Sequence, residues 1–148
     1  MVIETLITLM NRDLNKLKVE ISAYRNEDKI WIIDQGIANS AGNLCLHLIG
    51  NLNTYIGAVL GHTGYIRHRD LEFSLKDIEK DQLIKRIEET IHVVISTLRQ
   101  LEEKKLADEY PLLVFDQKTS IEYMLIHLAT HLSYHLGQIN YHRRLLDE

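Results

Sequence analysis

The sequence is poor in the two residues that interrupt helices. It has one proline and seven glycines in 148 residues, whereas usual frequencies would give roughly seven prolines and ten glycines. Proline removes a backbone donor and glycine weakens helix interiors, so a chain with few of either accommodates long helices. An apolar fraction of 45% beside 26% charged residues is typical of a globular protein with a packed core and argues against disorder.

Three further features are scarce or absent, and each excludes a class of protein. Basic residues form no tract longer than the pairs Lys104–Lys105 and Arg143–Arg144, and the formal net charge is −4, so a nucleic-acid interface is not expected. No apolar run approaches the ~18 residues of a membrane span, and the N-terminal stretch does not read as a signal peptide. The single cysteine, Cys45, excludes an intramolecular disulfide and agrees with a reducing compartment. We therefore expect a cytoplasmic protein that binds neither nucleic acid nor membranes.

Hydrophobic periodicity predicts four amphipathic helices. The predicted helices cover residues 2–24, about 37–60, about 75–106, and a last segment that ends at residue 146. Ser74-x-x-Asp77 and Thr119-x-x-Glu122 are capping patterns that open the third and fourth helices. The expected fold is an all-α, up-down four-helix bundle that forms one domain over residues 1–148.

Two connections are predicted as loops. Residues 26–33 are expected to place Trp31 against the bundle, and residues 61–73 form a charged loop between the second and third helices. The only proline, Pro111, falls in the connection before the last helix.

Histidine is over-represented near the C-terminus. Four of the eight histidines lie in the last 22 residues: His127, His131, His135 and His142. Positions four apart on a helix differ by only about 40° in direction, so His131 and His135 can bind one metal ion. Because the polar stripe runs along the edge of the apolar one, these rings are expected in a cleft that a substrate can reach.

Two histidines do not complete a metal site, since a catalytic zinc-like centre normally has three protein ligands. His47 is the best third candidate because it lies at the boundary of the apolar face of the second helix. Its neighbours Asn43 and Asn51 are candidates for orienting the ring. Cys45 points about 200° away from His47 around the helix and cannot reach the same ion. The remaining histidines are left out of the site: His62, His68 and His92.

A structural role is the alternative for each of these residues. A histidine pair at this spacing arises by chance in a histidine-rich chain, and a histidine at a core edge is commonly a hydrogen-bonded packing residue. The glutamate of the HExxH zinc-protease motif is missing, because Leu132 follows His131 directly. A metalloprotease is therefore not expected.

The run from His131 to Ile139, His-Leu-Ser-Tyr-His-Leu-Gly-Gln-Ile, resembles the C-terminal signature of the DinB/YfiT-like superfamily. In that superfamily an HxxxH pair followed closely by Gly-Gln lies on the last helix of a four-helix bundle. The resemblance covers the whole chain, including the second-helix histidine within Leu46 to Asn51. The segment from Tyr65 to Phe73 is also similar to the Arg- and Asp-rich connector, ending in Glu-Phe, of some members.

The resemblance implies a metal triad at His47, His131 and His135. It implies zinc or nickel as the metal, whereas three imidazoles by themselves also suit copper or iron. Leu136 stands where the superfamily usually has arginine, which leaves any anion or substrate contact made from that position without its usual residue. The superfamily includes thiol-dependent S-transferases and a thiol-dependent isomerase, and its members are often dimers, so a homodimer is implied.

Three hypotheses follow for the function. The first is a divalent-metal-dependent enzyme, a hydrolase or a thiol-dependent S-transferase, that acts on a small-molecule substrate with open coordination positions at the metal. The second is a non-enzymatic metal-binding or dimerisation module, and the third is a structural stripe without metal. The candidates for orienting the second reactant are Gln138, Asp70 and Glu72. His127 is either a neighbour of the ligands or a packing residue.

Overall fold

The computed structural model describes residues 1–34 and 36–148. Within these residues the fold is all-α, as predicted, and contains five α-helices: α1 Val2–Ser22, α2 Ala41–Leu52, α3 Arg69–Ser74, α4 Lys80–Gln100 and α5 Ile121–Leu146. A π-helical segment, Asn53–Ala58, continues α2, and two 3-10 turns cover Glu27–Trp31 and Glu103–Ala107. The described residues contain no strand, and their extended pairing is limited to one bridge between Glu109 and Ser120.

The first helix forms because its apolar residues recur every three or four positions and all reach the core. The buried apolar residues of α1 are Ile3, Leu6, Met10, Leu14, Leu17 and Ile21. Its N-terminus is capped from a distant loop: the Glu103 carboxylate accepts hydrogen bonds from the backbone nitrogens of Met1 (2.9 Å) and Val2 (2.7 Å). A carboxylate at this end also complements the helix dipole.

The second helix begins later than the sequence predicts. The predicted start is at about residue 37, whereas α2 begins at Ala41. The Ser40 hydroxyl caps it by accepting a hydrogen bond from the Asn43 backbone nitrogen at 3.1 Å. Gln35, just before the predicted start, lies outside the described residues. The Ser40 cap supplies the helix start that periodicity alone does not locate. Trp31 is buried against the core, as predicted.

The third predicted helix is too long at both ends. It was predicted over residues 75–106, whereas α4 covers Lys80–Gln100. Asp77 has a positive φ of 58°, which is incompatible with a continuous helix through it. Ser74 therefore does not cap α4; it ends α3, a short helix inside the segment predicted to be a loop.

The last helix is capped one residue later than predicted. The Ser120 hydroxyl, rather than that of Thr119, accepts the hydrogen bond from the Tyr123 backbone nitrogen at 3.1 Å. From this cap α5 extends for 26 residues. In the packed molecule α1 contacts α4 and α5, while α2 contacts α3, α4 and α5. Within the described ranges, no helix is both long and apolar enough to span a membrane.

Candidate metal centre

The three histidines predicted as ligands meet between α2 and α5. His47 is on α2, and His131 and His135 are one turn apart on α5. The His47 and His131 Nε2 atoms are 3.2 Å apart, and those of His131 and His135 are 3.1 Å apart. One potential ligand atom from each ring lies within 4.8 Å of the others. The prediction that these three side chains come together is therefore confirmed.

The spacing of these nitrogens suits a single ion. Two imidazole nitrogens bound at about 2.0–2.1 Å with tetrahedral angles lie roughly 3.3–3.4 Å apart, close to the two separations given above. With no ion between them, a pair of facing nitrogens can share only one hydrogen, so three converging rings leave lone pairs opposed. Histidine nitrogen is also a preferred ligand of zinc and nickel. The donor set and its geometry therefore fit a divalent metal.

His47 is held in the tautomer that metal binding requires. Its Nδ1 lies 3.1 Å from Oε1 of Glu72, a buried carboxylate on α3. A carboxylate accepts but does not donate, so Nδ1 carries the hydrogen and Nε2 presents its lone pair to the other two histidines.

Glu72 is itself held by a two-bond ion pair. The guanidinium of Arg67 donates from Nε to Oε2 (2.8 Å) and from Nη2 to Oε1 (2.9 Å). The side chains of His47, Glu72 and Arg67 are only 10%, 7% and 13% exposed. A buried carboxylate without a partner would be costly, so the ion pair with Arg67 offsets the cost of burying Glu72 beside the candidate site.

Two other groups fix the position of Glu72. The Asn43 side-chain amide donates to the backbone oxygens of Glu72 (2.9 Å) and Leu75 (2.8 Å), which ties the end of α3 to α2. Gly50, on α2, leaves the space that the Glu72 carboxylate occupies, because a Cβ at this position would overlap with that carboxylate. The expectation that Asn43 orients the His47 ring is wrong: its amide nitrogen donates to these two backbone oxygens, and its Oδ1 accepts from the Ser40 hydroxyl at 2.7 Å.

His135 has a different support. Its Nδ1 lies 2.7 Å from Oε1 of Gln138, one turn further along α5. The amide oxygen accepts from Nδ1, so the Nε2 atom of His135 is again left for an ion. His131 differs from both, since its Nδ1 is buried and has no hydrogen-bond partner among the described residues.

Two of the three histidines, His131 and His47, stay neutral at ordinary pH. Burial lowers the pKa of His131 to about 4, and the neighbouring His135 and His47 act in the same direction. Burial also lowers the pKa of His47, against the opposing effect of Glu72. Neutral imidazoles are the form that binds metal, so these rings need not lose a proton to do so.

Aromatic rings surround the three histidines. Phe73 packs against His47 with ring centroids 5.1 Å apart, and Tyr134 lies 5.3 Å from His135. His127 stacks on His131 at 6.1 Å, and Phe115 in turn contacts His127 at 4.7 Å. His127 is thus a neighbour of the ligands. Both phenylalanines of the chain lie in this shell.

The remaining candidates from the sequence lie outside the cluster or have other partners. His62, His68, His92 and Asp70 are exposed, and Cys45 is buried in the core. The sequence predicts a different role for Glu72, as a group that orients a reactant. It predicts no role for Arg67, Phe73 or Phe115. The only sequence signal for Arg67 and Phe73 was the connector that ends in Glu-Phe.

An all-α fold with a cluster of one buried and two half-buried histidines, supported by a carboxylate and an amide, defines a helical protein with a candidate metal centre. Residues 3–148 match the family described as Protein of unknown function (DUF1572). The chain belongs to this family. No curated protein matches the sequence.

Proposed function

We propose that this chain is a divalent-metal-dependent enzyme of the DinB/YfiT-like type, a single domain folded as an up-down four-helix bundle. The observation that carries the proposal is that one imidazole nitrogen from each of three histidines lies within 4.8 Å of the other two. The DinB-like signature on α5 and the family match over nearly the whole chain agree with it. Zinc or nickel is the proposed ion, held by His47, His131 and His135.

The number of protein ligands favours an enzyme over a structural centre. Among the described residues the cluster contains three metal-binding side chains, whereas a structural zinc site normally has four. A divalent ion held by three imidazoles supplies Lewis acidity at an open position, where a water molecule or a thiol becomes a stronger acid.

The one buried carboxylate that the structure describes beside the site is committed to positioning a ligand and is not available as a base. Both oxygens of Glu72 are engaged, one by His47 and Arg67 and the other by Arg67. Gln138 and Glu72 keep the rings of His135 and His47 in fixed orientations. We therefore propose chemistry that needs no carboxylate base: hydrolysis, or S-transfer from a low-molecular-weight thiol to a small electrophilic substrate in the cytoplasm.

The metal can be tested by elemental analysis of the purified, metal-loaded protein. We expect about one zinc or nickel ion per chain in the native protein and a small fraction of that in His47→Ala and His131→Ala variants. His92→Ala is the matched control, because His92 is exposed on α4, and should retain the native content. Native-like metal content in both ligand variants would contradict the triad.

The reaction class needs a separate assay. Metal-loaded protein should accelerate transfer of a low-molecular-weight thiol to a model electrophile such as 1-chloro-2,4-dinitrobenzene, or hydrolysis of an activated ester, and His131→Ala should abolish either activity. Full metal occupancy with no activity would favour the second candidate, a metal-binding or dimerisation module.

An apolar groove between α1 and α5 is the surface that we propose for a homodimer. It is lined by residues such as Leu9, Ile126 and Ala129. Sedimentation analysis tests it.

A further inference from the structure

A cavity of about 500 Å³ opens beside the histidine cluster. It adjoins the candidate metal centre through His135 of α5, and Leu44 of α2 and Gln138 of α5 also line it. The segment 36–39 borders it as well. Its size lies in the range of small-molecule sites. The grooves between α1 and α5 are of similar or larger volume, but none of the described residues that line them belongs to the triad.

The wall of this cavity is uncharged. The described residues that line it include no lysine, arginine, aspartate or glutamate; they are mainly aliphatic and aromatic, with Tyr134, Tyr141 and Leu145 at the exposed edge. His142, which also lines it, uses both ring nitrogens elsewhere, 2.7 Å from the Tyr24 hydroxyl and 2.8 Å from the Ile32 oxygen. A charged molecule would lose its hydration in this cavity without gaining a counter-ion from the described side chains of the wall.

One polar group in the wall has a defined orientation. Because Oε1 of Gln138 accepts from His135 Nδ1, the side-chain amide nitrogen is turned away from that ring. Its two N–H groups have no partner among the described residues, and Gln138 is exposed. The same hydrogen bond that positions a metal ligand therefore leaves an oriented donor beside the centre.

We propose that this cavity is the substrate site of the metal centre, and that it takes an uncharged molecule with an aromatic or aliphatic body and a carbonyl oxygen that Gln138 binds. The inference rests on the proposed function, because it is the adjacent metal that makes a bound molecule a substrate.

Benzamide and benzoate form a suitable pair of probes, since they share a ring and differ in charge. Ligand-observed NMR titrations on metal-depleted protein avoid direct coordination of benzoate by the ion. We expect saturable binding of benzamide, and binding of benzoate at least tenfold weaker. Gln138→Leu should weaken benzamide binding about two- to tenfold, the usual effect of one lost hydrogen bond.

Tyr141→Leu tests the location of the site and has a matched control. Tyr141 and Tyr123 are both exposed on α5, at 63% and 56%, but only Tyr141 lines the cavity. Tyr141→Leu should weaken benzamide binding several-fold, whereas Tyr123→Leu should leave it unchanged. The inference is overturned if benzamide does not bind saturably, if benzoate binds as tightly, or if the two tyrosine variants behave alike.

Metal content separates failure of this inference from failure of the proposed function. Protein that binds zinc or nickel but not benzamide retains the metal centre and contradicts the substrate site. Protein that binds benzamide with the expected dependence on Tyr141 but takes up no metal contradicts the proposed enzyme, and it leaves the cavity as a binding site for neutral molecules.

Discussion

At the scale of single residues, Glu72 joins the connector of residues 65–73 to the candidate metal centre. Its carboxylate accepts from His47 Nδ1 and from Arg67, and it thereby sets which nitrogen of His47 faces the other two histidines. Glu72→Gln keeps the size of the side chain, but it removes the charge and turns an amide N–H₂ toward either the imidazole or the guanidinium. Loss of such a support typically lowers metal affinity about 10- to 100-fold.

We therefore expect Glu72→Gln to weaken zinc or nickel binding by that factor in a competition titration with a chromophoric chelator. Asp70→Asn is the control, because Asp70 is an exposed carboxylate on the same short helix. Equal metal affinities for the two variants and the native protein would show that Glu72 does not support the site.

Gly50 allows a test in which neither a ligand nor its hydrogen-bond partner is itself substituted. Replacing a glycine inside a helix by alanine usually stabilises by about 0.5–1 kcal/mol, yet a Cβ at position 50 would displace the Glu72 carboxylate. Gly50→Ala should therefore lower both stability and metal affinity. Gly137→Ala is matched to it, since nothing lies within 4 Å of a Cβ at position 137. This control should gain stability in denaturant unfolding and keep its metal affinity; the reverse order of the two variants would contradict the account.

The ligands could be predicted from the sequence, whereas their supports could not. His131 and His135 share a helix face because of helix geometry alone, and His47 follows from its place at the edge of an apolar stripe. Glu72 is 25 residues from His47 in sequence, and its approach depends on the path of the connector and on the space at Gly50. Those are tertiary features that no local pattern encodes.

At the scale of elements, the helix interiors follow the sequence and the helix ends do not. The apolar stripe of α1 is buried as predicted, because apolar residues that recur every three or four positions lie on one face of a helix, and that face packs against the core. The capping pattern at Ser74 predicts a helix start there. The backbone of Asp77 is in the left-handed region, which a helix cannot pass through, and α4 therefore begins only at Lys80. Similar hydroxyl residues stand side by side at 119 and 120, so the pattern alone cannot choose between them.

A buried hydrogen-bonded chain joins three elements near the end of α5. The Tyr24 hydroxyl, just beyond α1, donates to His142 Nδ1, and His142 Nε2 donates to the Ile32 backbone oxygen. Burial lowers the pKa of His142 despite the opposing effect of the Ile32 oxygen. In the folded state the ring is neutral and both of its nitrogens are satisfied.

This arrangement predicts a loss of stability in mild acid. The pKa of His142 is lower in the folded state than the value of about 6.5 expected in the unfolded chain. Below that pH the unfolded chain binds a proton that the folded protein does not, so stability falls as the pH drops from about 6.5 toward the folded-state pKa, by at most about 1.4 kcal/mol per pH unit for this group. Above pH 7 His142 contributes no slope.

His142→Gln should make this acid-side slope shallower in urea unfolding of the metal-free protein between pH 7.5 and pH 5. His92→Gln, which changes an exposed histidine of α4, should leave the slope as it is in the native protein. Parallel pH profiles for the native protein and His142→Gln would contradict the role given to His142.

At the scale of the whole molecule, packing brings distant parts of the chain to one site. His47 and His131 are 84 residues apart in sequence. The connector of residues 65–73, which includes Arg67 and Glu72, contacts His47 through Glu72. Contacts of α1 with α4 and α5 hold the helix that bears two of the three ligands. The connection around Pro111 is held against the segment that continues α2, since the buried Tyr110 hydroxyl donates to the backbone oxygen of Tyr55 at 2.6 Å. The fold class was predictable because each helix has a clear apolar face; which elements would meet at the site was predictable only through the histidines.

The most direct test of the central claim is a crystal structure of the zinc- or nickel-loaded protein with anomalous data collected at the absorption edge of that metal. The account predicts one anomalous peak per chain, bonded to Nε2 of His47, His131 and His135, with at least one further position filled by solvent or another small ligand. A fully loaded crystal with no peak at this point, or with its ion bound outside these three histidines, would contradict the account.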